Sequence, residues 1–288
     1  MTSNPSGLEE LSGAFDPESY IQSLGSIPDD RINLAHAALA LAALSHEGVS
    51  LGRYIYHLQV IGDEVGARYA EIFGDSAKAQ LEALSDILHG RYHYSGDRES
   101  YDDLQNASLI RVIDRAKGRA IVLSILYIHS ARAQGWNIVG LDVSGHFLCR
   151  LEAGGQRIIF DPFEGGRIVE AQDMREIVKR VFGAQAELSS EYYEPVGNRG
   201  ILVRLQNIIK FRQIEAEDYQ GALETVQRMR QIDPQEYRLL LDEGVLLART
   251  GEPRGAIDSL VAYIEKAPNS RDRMEAELLL QQLNDALN

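Results

Sequence analysis

Three short runs of this sequence hold the residue types that nucleophilic chemistry uses. Lys117-Gly118-Arg119-Ala120 opens a long apolar segment, Gly145-His146-Phe147 lies in a run of strand character, and Phe160-Asp161-Pro162-Phe163 closes the next such run. A helix start favours a nearby anion, an imidazole takes up a proton, and a carboxylate holds the ring in one tautomer. Each residue also has a plainer reading. His146 suits a core histidine behind a strand, and Asp161 before proline suits a turn former. Gly165-Gly166 reads as a further turn, because no phosphate-loop pattern surrounds it. His89 and His93 stand four apart, a spacing that offers two ligands on one helix face. Gly90 and the polar run after it argue that the helix has ended there, and no H-E-x-x-H motif accompanies them. No metal or cofactor is expected.

The elements that must position these groups are legible from hydrophobic period. From Pro28 to about Gly90 apolar residues recur three and four apart, with helices expected after Asp29-Asp30, after Ser50 and after Asp75. Residues 91–103 are polar and turn-rich and read as a connector. Asn106 reads as the cap of a helix carrying Leu109, Ile110, Val112 and Ile113, ended by Lys117-Gly118. A helix from about Arg119 to Gln134 is apolar around most of its circumference, which predicts burial on several sides. Past Gly135, where Trp136 reads as a packing anchor, Ile138 to Val143, Phe147 to Leu151 and Arg157 to Phe160 read as short strands. The fold class is therefore α+β and predominantly helical.

The C-terminal third matches itself at a spacing of 34 residues: Asp218 with Glu252, Gly221-Ala222-Leu223 with Gly255-Ala256-Ile257, Val226 with Leu260 and Pro234 with Pro268. That period is the tetratricopeptide period. The small Gly-Ala pair lets helices approach closely, and the prolines end them. Charges such as Arg228, Arg230, Arg238, Asp242 and Glu243 are expected on solvated faces, although the inner face of such an array can bind peptides.

Composition narrows the partners. The chain has 288 residues, 44% of them hydrophobic, and a net charge of −14 with most of the acidic excess in the first hundred residues. That balance disfavours binding to a phosphate backbone, so no nucleic-acid partner is expected. No apolar run is long enough to cross a bilayer, and the start, MTSNPSGLEELSG, lacks the basic and apolar parts of a secretory signal. With one cysteine, Cys149, these features predict a cytoplasmic protein without disulfides or membrane contact.

The order of glycine and buried helix, histidine, then aspartate resembles the transglutaminase-like branch of the papain-type fold. There a cysteine at a helix N-terminus is activated by a histidine that an acid orients. More specifically, the chain is similar to the SirB-type transglutaminase-like/tetratricopeptide family of bacteria. The likeness lies in Asn106-Ala-Ser-Leu-Ile-Arg-Val-Ile, Leu126-Tyr127, Gly145-His-Phe-Leu, Asp161-Pro-Phe-Glu-Gly-Gly and the terminal repeat, and runs from about Ile32 to the end. The resemblance implies a papain-type core with a small antiparallel sheet, followed by helical hairpins of tetratricopeptide type. It implies His146 and Asp161 as the catalytic frame, and a family name tied to regulation of virulence genes. It also places the nucleophile two residues after the glycine, where this sequence has Ala120, and a methyl group cannot attack a carbonyl.

Two other residues offer a substitute nucleophile. Cys149 follows His146 by three on one strand, so the two should face opposite sides. Ser124 lies one turn beyond Ala120, where a hydroxyl is expected to bond a backbone carbonyl. The expected organisation is a flexible tail over 1–27, a helical region over 28–100, a transglutaminase-like core over 101–195 and the repeat over 196–288. The expected function is a pseudoenzyme that binds a protein or peptide through its cleft and repeat surface. The competing expectation is an amide hydrolase or acyl transferase using a replacement nucleophile or an activated water, and a weaker one is an indirect transcriptional or signalling regulator.

Overall fold

In a computed structural model, residues 16–46, 48–143 and 145–287 are described, so residues 1–15 of the tail expected over 1–27 lie outside the described residues. The chain divides into two compact units, the first holding residues 28–201 and the second holding Ile21–Ile27 with Leu202–Asn288.

The expectation that residues up to 27 form a tail does not hold for its later part. Asp16 accepts a hydrogen bond from Ser19 N at 3.2 Å, and Pro17 follows it at the first helical position of α1 (Pro17–Leu24). An aspartate cap with proline next is a helix start that was present in the sequence. Ile21 and Leu24 are fully buried, and Gly25 sits so close to Gln231 O and Pro234 that a Cβ there would lie 2.7 Å from the carbonyl.

The first unit is built around one helix. α2 (Leu34–Ala43), α3 (Gly52–Glu71), α4 (Ala77–Ser85) and α5 (Leu109–Arg115) precede α6 (Ala120–Ala133), and short strands β1 (Ser95–Gly96) and β2 (Lys117–Gly118) pair in parallel between them. Eleven of the residues of α6 are buried, from Ala120 to Ala131, because α2, α3 and α4 pack on it as well as β3 (Asn137–Val143) and β4 (His146–Ala153). This is what the all-round apolar pattern required. It also removes the expected division at residue 100, since helices of the 28–100 region supply much of the cover of α6. The sheet continues with β5 (Gln156–Asp161), β6 (Arg167–Ile168) and, after α7 (Ala171–Phe182), β7 (Pro195–Val196), in the antiparallel order β6-β5-β4-β3-β7.

Helix starts differ from expectation in informative ways. Asn33, not Asp29 or Asp30, caps α2 by accepting from His36 N at 3.1 Å. Asp29 instead accepts from Asn198 N at 2.9 Å and Arg199 N at 2.8 Å, capping α8 (Asn198–Glu215) from far away in sequence. Ser108 caps α5, while the fully buried Asn106 donates to Ser100 O at 2.6 Å and accepts from Arg115 at 3.0 Å. Trp136 does pack at its corner, edge-on to Tyr69 with ring centroids 4.7 Å apart.

In the second unit α9 (Tyr219–Ile232) and α11 (Pro253–Lys266) begin 34 residues apart, in the register of the sequence repeat, and alternate with α10 (Arg238–Arg249) and α12 (Ser270–Leu287). Gly244 of α10 permits the close crossing with α11, because a Cβ there would lie 2.8 Å from the Leu260 side chain. The expectation that its charges are all solvated fails at Glu243. That carboxylate is 6% exposed and is held by Arg230 and by Ser259 Oγ at 2.9 Å, which meets the cost of burying it between helices.

Between α2 and α6, burial and the neighbouring His129 push His36 down to about 4, and burial also lowers His129, which bonds Leu58 O at 3.2 Å. The unfolded chain binds a proton at about 6.5 that the folded form refuses until about 4. Stability is therefore present above pH 6.5 and lost as pH falls toward 4, by up to about 3 kcal/mol for His36. Urea unfolding followed by the fluorescence of Trp136 is expected to show this loss, and His36→Asn is expected to flatten it.

Candidate functional site

The start of β4 and the end of β5 fall at the same end of the sheet, because the strands are antiparallel neighbours. His146 and Asp161 therefore meet, with His146 Nε2 2.8 Å from Asp161 Oδ2. The carboxylate is nearly covered, its side chain 4% exposed, while the imidazole is 36% exposed. The second carboxylate oxygen, Oδ1, accepts from Phe163 N at 2.9 Å, so Asp161 caps the 3₁₀ turn Pro162–Glu164. Gly166 N donates to Asp161 O at 2.9 Å, which closes the turn that the two glycines were expected to make. A buried carboxylate needs such partners, and here they fix one edge of the ring and leave its other nitrogen for a ligand or proton.

Ala120 is the first residue of α6 and is 7% exposed. A chain of contacts links it to the acid. Gly118, two residues earlier, pairs with Gly96 across β1 and β2, and Gly96 lies against the Phe163 ring so tightly that no Cβ fits. Phe163 is two residues beyond Asp161. The helix start and the His–Asp pair are thus tied through β1, the element expected to be a plain connector.

That connector is the part of the site that sequence reasoning missed. Asp97, 2% exposed, accepts from Ser100 N at 2.9 Å, Ser100 Oγ at 2.7 Å and Arg115 at 2.8 Å. The Ser100 bonds, with Arg115 and Asn106 adding to them, hold its carboxyl well below the usual range. Tyr101 then packs edge-on to Phe163, centroids 6.0 Å apart, and lies under the Arg119 guanidinium at 4.3 Å. The Asp-x-x-Ser spacing was the available signal, since an aspartate bonding backbone two and three residues on organises a turn.

The candidate substitutes behave as side-chain direction requires. Ser124 is fully buried and donates to Ala120 O at 2.8 Å. Cys149 is fully buried, and burial pushes its thiol up to about 12, far from a thiolate at neutral pH. His89 lies in a π-helical turn, Asp86–Arg91, that extends past the expected stop at Gly90, and its ring packs against Gly165 while Nδ1 bonds Tyr94 O at 3.0 Å. His93 takes a left-handed conformation, so the two histidines do not share a helix face.

The family model of the transglutaminase-like superfamily matches residues 53–207, more than half of the chain, and the chain belongs to that superfamily. A tetratricopeptide repeat model matches residues 209–284. Among its relatives, a UPF0162 protein of Xylella fastidiosa is 25% identical over 253 residues, covering 87% of this chain and 89% of the relative. A UPF0162 protein of Vibrio cholerae is 27% identical over 257 residues, covering 88% and 93%. The protein SirB1 of Salmonella typhimurium is 22% identical over 194 residues, covering 67% and 72%, in keeping with the SirB-type resemblance. No solved structure matches.

A cysteine placed at the start of α6 reports on this geometry. In Ala120→Cys the thiol is expected to titrate at about 6–7 rather than 8.5, through the helix start and an imidazolium partner. The pH dependence of its alkylation by iodoacetamide measures this, and adding His146→Ala should return it to the ordinary value. An unshifted thiol would mean that His146 does not face position 120.

Proposed function

We propose that this protein is a non-catalytic member of its superfamily, which binds a protein or peptide partner in the cytoplasm through the His146–Asp161 cleft and the repeat surface. The observation that carries the reading is the conjunction of a buried, fully bonded Asp161 orienting a half-exposed imidazole with a methyl group at the helix start. Such a polar pair can fix a peptide by hydrogen bonds without a nucleophile at the helix start. Ser124 is committed to a backbone carbonyl and Cys149 is buried with a raised pKa, which weighs against either as nucleophile.

Tetratricopeptide repeats generally mediate protein–protein interaction. In the second unit a groove of about 330 Å³ beside α10 is lined by apolar residues such as Ile214, Leu241, Val245 and Leu279 and by the charged Lys210, Asp242, Arg249 and Glu275. A lining that mixes apolar side chains with acidic and basic ones in equal number suits a peptide rather than a nucleic-acid backbone. Among the described residues no helix is long and apolar enough to cross a membrane.

One observation favours a second reading. An imidazole with Nε2 held by a carboxylate and its other edge open is the arrangement of a general base, which could activate water and contribute about 10²- to 10⁴-fold in an amide hydrolase. A pull-down with the full chain in its native host separates the two. A specific polypeptide is expected to be retained by the wild type and lost, about tenfold or more, when Val245→Arg spoils the groove. Absence of any such polypeptide, or amide hydrolysis abolished by His146→Ala, would replace this reading with the enzymatic one.

A further inference from the structure

On α10 the groove-lining Asp242, Val245, Leu246 and Arg249 recur three and four apart, so they share one face of the helix. Asp242 is neutralised where it stands: Lys210 of α8, 4% exposed, meets its Oδ2 at 2.6 Å. The lining around that pair is apolar and open, with Val245 37% and Leu279 36% exposed. Arg249 lies two turns beyond Asp242, about 11 Å along the axis. Its guanidinium lies over the Tyr219 ring at 5.6 Å, and no carboxylate of the described residues pairs with it. The remaining acid stands at the opposite end. Ala276, next to Glu275 on α12, packs in one cluster with Leu240 in the first turn of α10, while Leu283 reaches the cluster of Leu246 and Leu247 further along. α12 therefore runs in the same direction as α10, which puts Glu275 at the start of the groove and Arg249 at its end. Glu275 is 3.8 Å from Arg271, but the two side chains are 69% and 90% exposed, and such a pair is weak and screened by salt.

We infer that the groove takes a peptide segment carrying both charges, with an apolar side chain between a basic residue that meets Glu275 and an acidic residue that meets Arg249. The inference rests on the binding reading above and adds to it the chemistry of the ligand and its orientation along α10. A span of about 11 Å is covered by about three residues of extended chain, so the two ligand charges stand three or four positions apart. Because Lys210 already satisfies Asp242, the middle of the groove offers no charge to a ligand, and a charged side chain placed there would lose water without gaining a partner. An apolar side chain gains contact there instead. A peptide acidic throughout would set a carboxylate against Glu275, and one basic throughout would set a cation against Arg249; like charges brought together in this way reject the wrong partner.

Panning a phage library of random short peptides on the full chain, and then on Arg249→Glu and on Glu275→Arg, tests this. The full chain is expected to select an apolar residue with an acid on one side and a base on the other. Arg249→Glu should replace the selected acid by a second base, and Glu275→Arg the selected base by a second acid; both positions are exposed, and circular dichroism checks that each variant is folded. A fluorescein-labelled peptide from the first selection should bind Arg249→Glu about tenfold more weakly. Exchanging its acidic residue for lysine should recover that loss, which damage to the fold would not allow. Peptides selected without a charge preference, or the same peptides from the wild type and both variants, overturn the inference and leave the binding reading standing. No enrichment above an uncoated surface, or enrichment untouched by Val245→Arg, removes the groove as a binding site and takes both down. Sedimentation covers the remaining occupant: a mass that doubles with concentration in the wild type but not in Val245→Arg means that a second copy of the chain fills the groove, and overturns the inference.

Discussion

The first unit depends on the burial of α6 on all sides. A helix with Ile121, Val122, Leu123, Ile125, Leu126 and Ile128 distributed around its circumference has no face to offer water, so each neighbouring element is recruited as cover. The helices supply one part and the sheet the other. Fixing α6 fixes its first turn, and the candidate site is defined by what stands around that turn. The His146–Asp161 pair is held by the sheet that helps to bury this helix, so it forms whatever residue stands at the helix start.

Within that arrangement Asp161 has two tasks that one carboxylate can serve because it has two oxygens. One orients His146, and the other starts the turn that carries Phe163 and Glu164. Losing the acid would disturb both the ring and the rim. This double use gives a structural reason for the acid to be present whether or not a reaction occurs, and it weakens any inference from the acid to catalysis taken alone.

The sequence showed those features whose signal is local or periodic. α6 was visible because its apolar residues have no gap, the three strands because glycine pairs separate them, and the repeat because α9 and α11 begin 34 residues apart. The pairing of His146 with Asp161 was implied by the family resemblance, and antiparallel neighbouring strands bring it about. What was hidden depended on distant partners. Asp29 looked like a local helix cap but serves α8, whose start is 169 residues away, and no nearby residue could reveal that. Residues 91–103 read as a connector because only the Asp97–Ser100 turn is local, and the rest of their order comes from Asn106, Arg115, Lys117, Arg119 and Glu164, which lie outside the segment. Glu243 read as solvated because its partners lie on two other helices.

The placement of Ile21–Ile27 has a consequence for how the chain folds. These residues belong to the unit whose remaining part begins at Leu202, so residues 28–201, a unit of their own, separate the two pieces of one core. The first unit draws its core from one stretch of chain, whereas the second closes only when Ile21–Ile27 meet residues beyond 201. The entropy of closing such a long loop rises only slowly with its length, so the arrangement costs little at equilibrium; its cost is in time. Ile21 and Leu24 are fully buried in the finished fold, and before it forms they are apolar side chains without their destination. Until the two pieces meet, that apolar surface is uncovered, a state that favours aggregation.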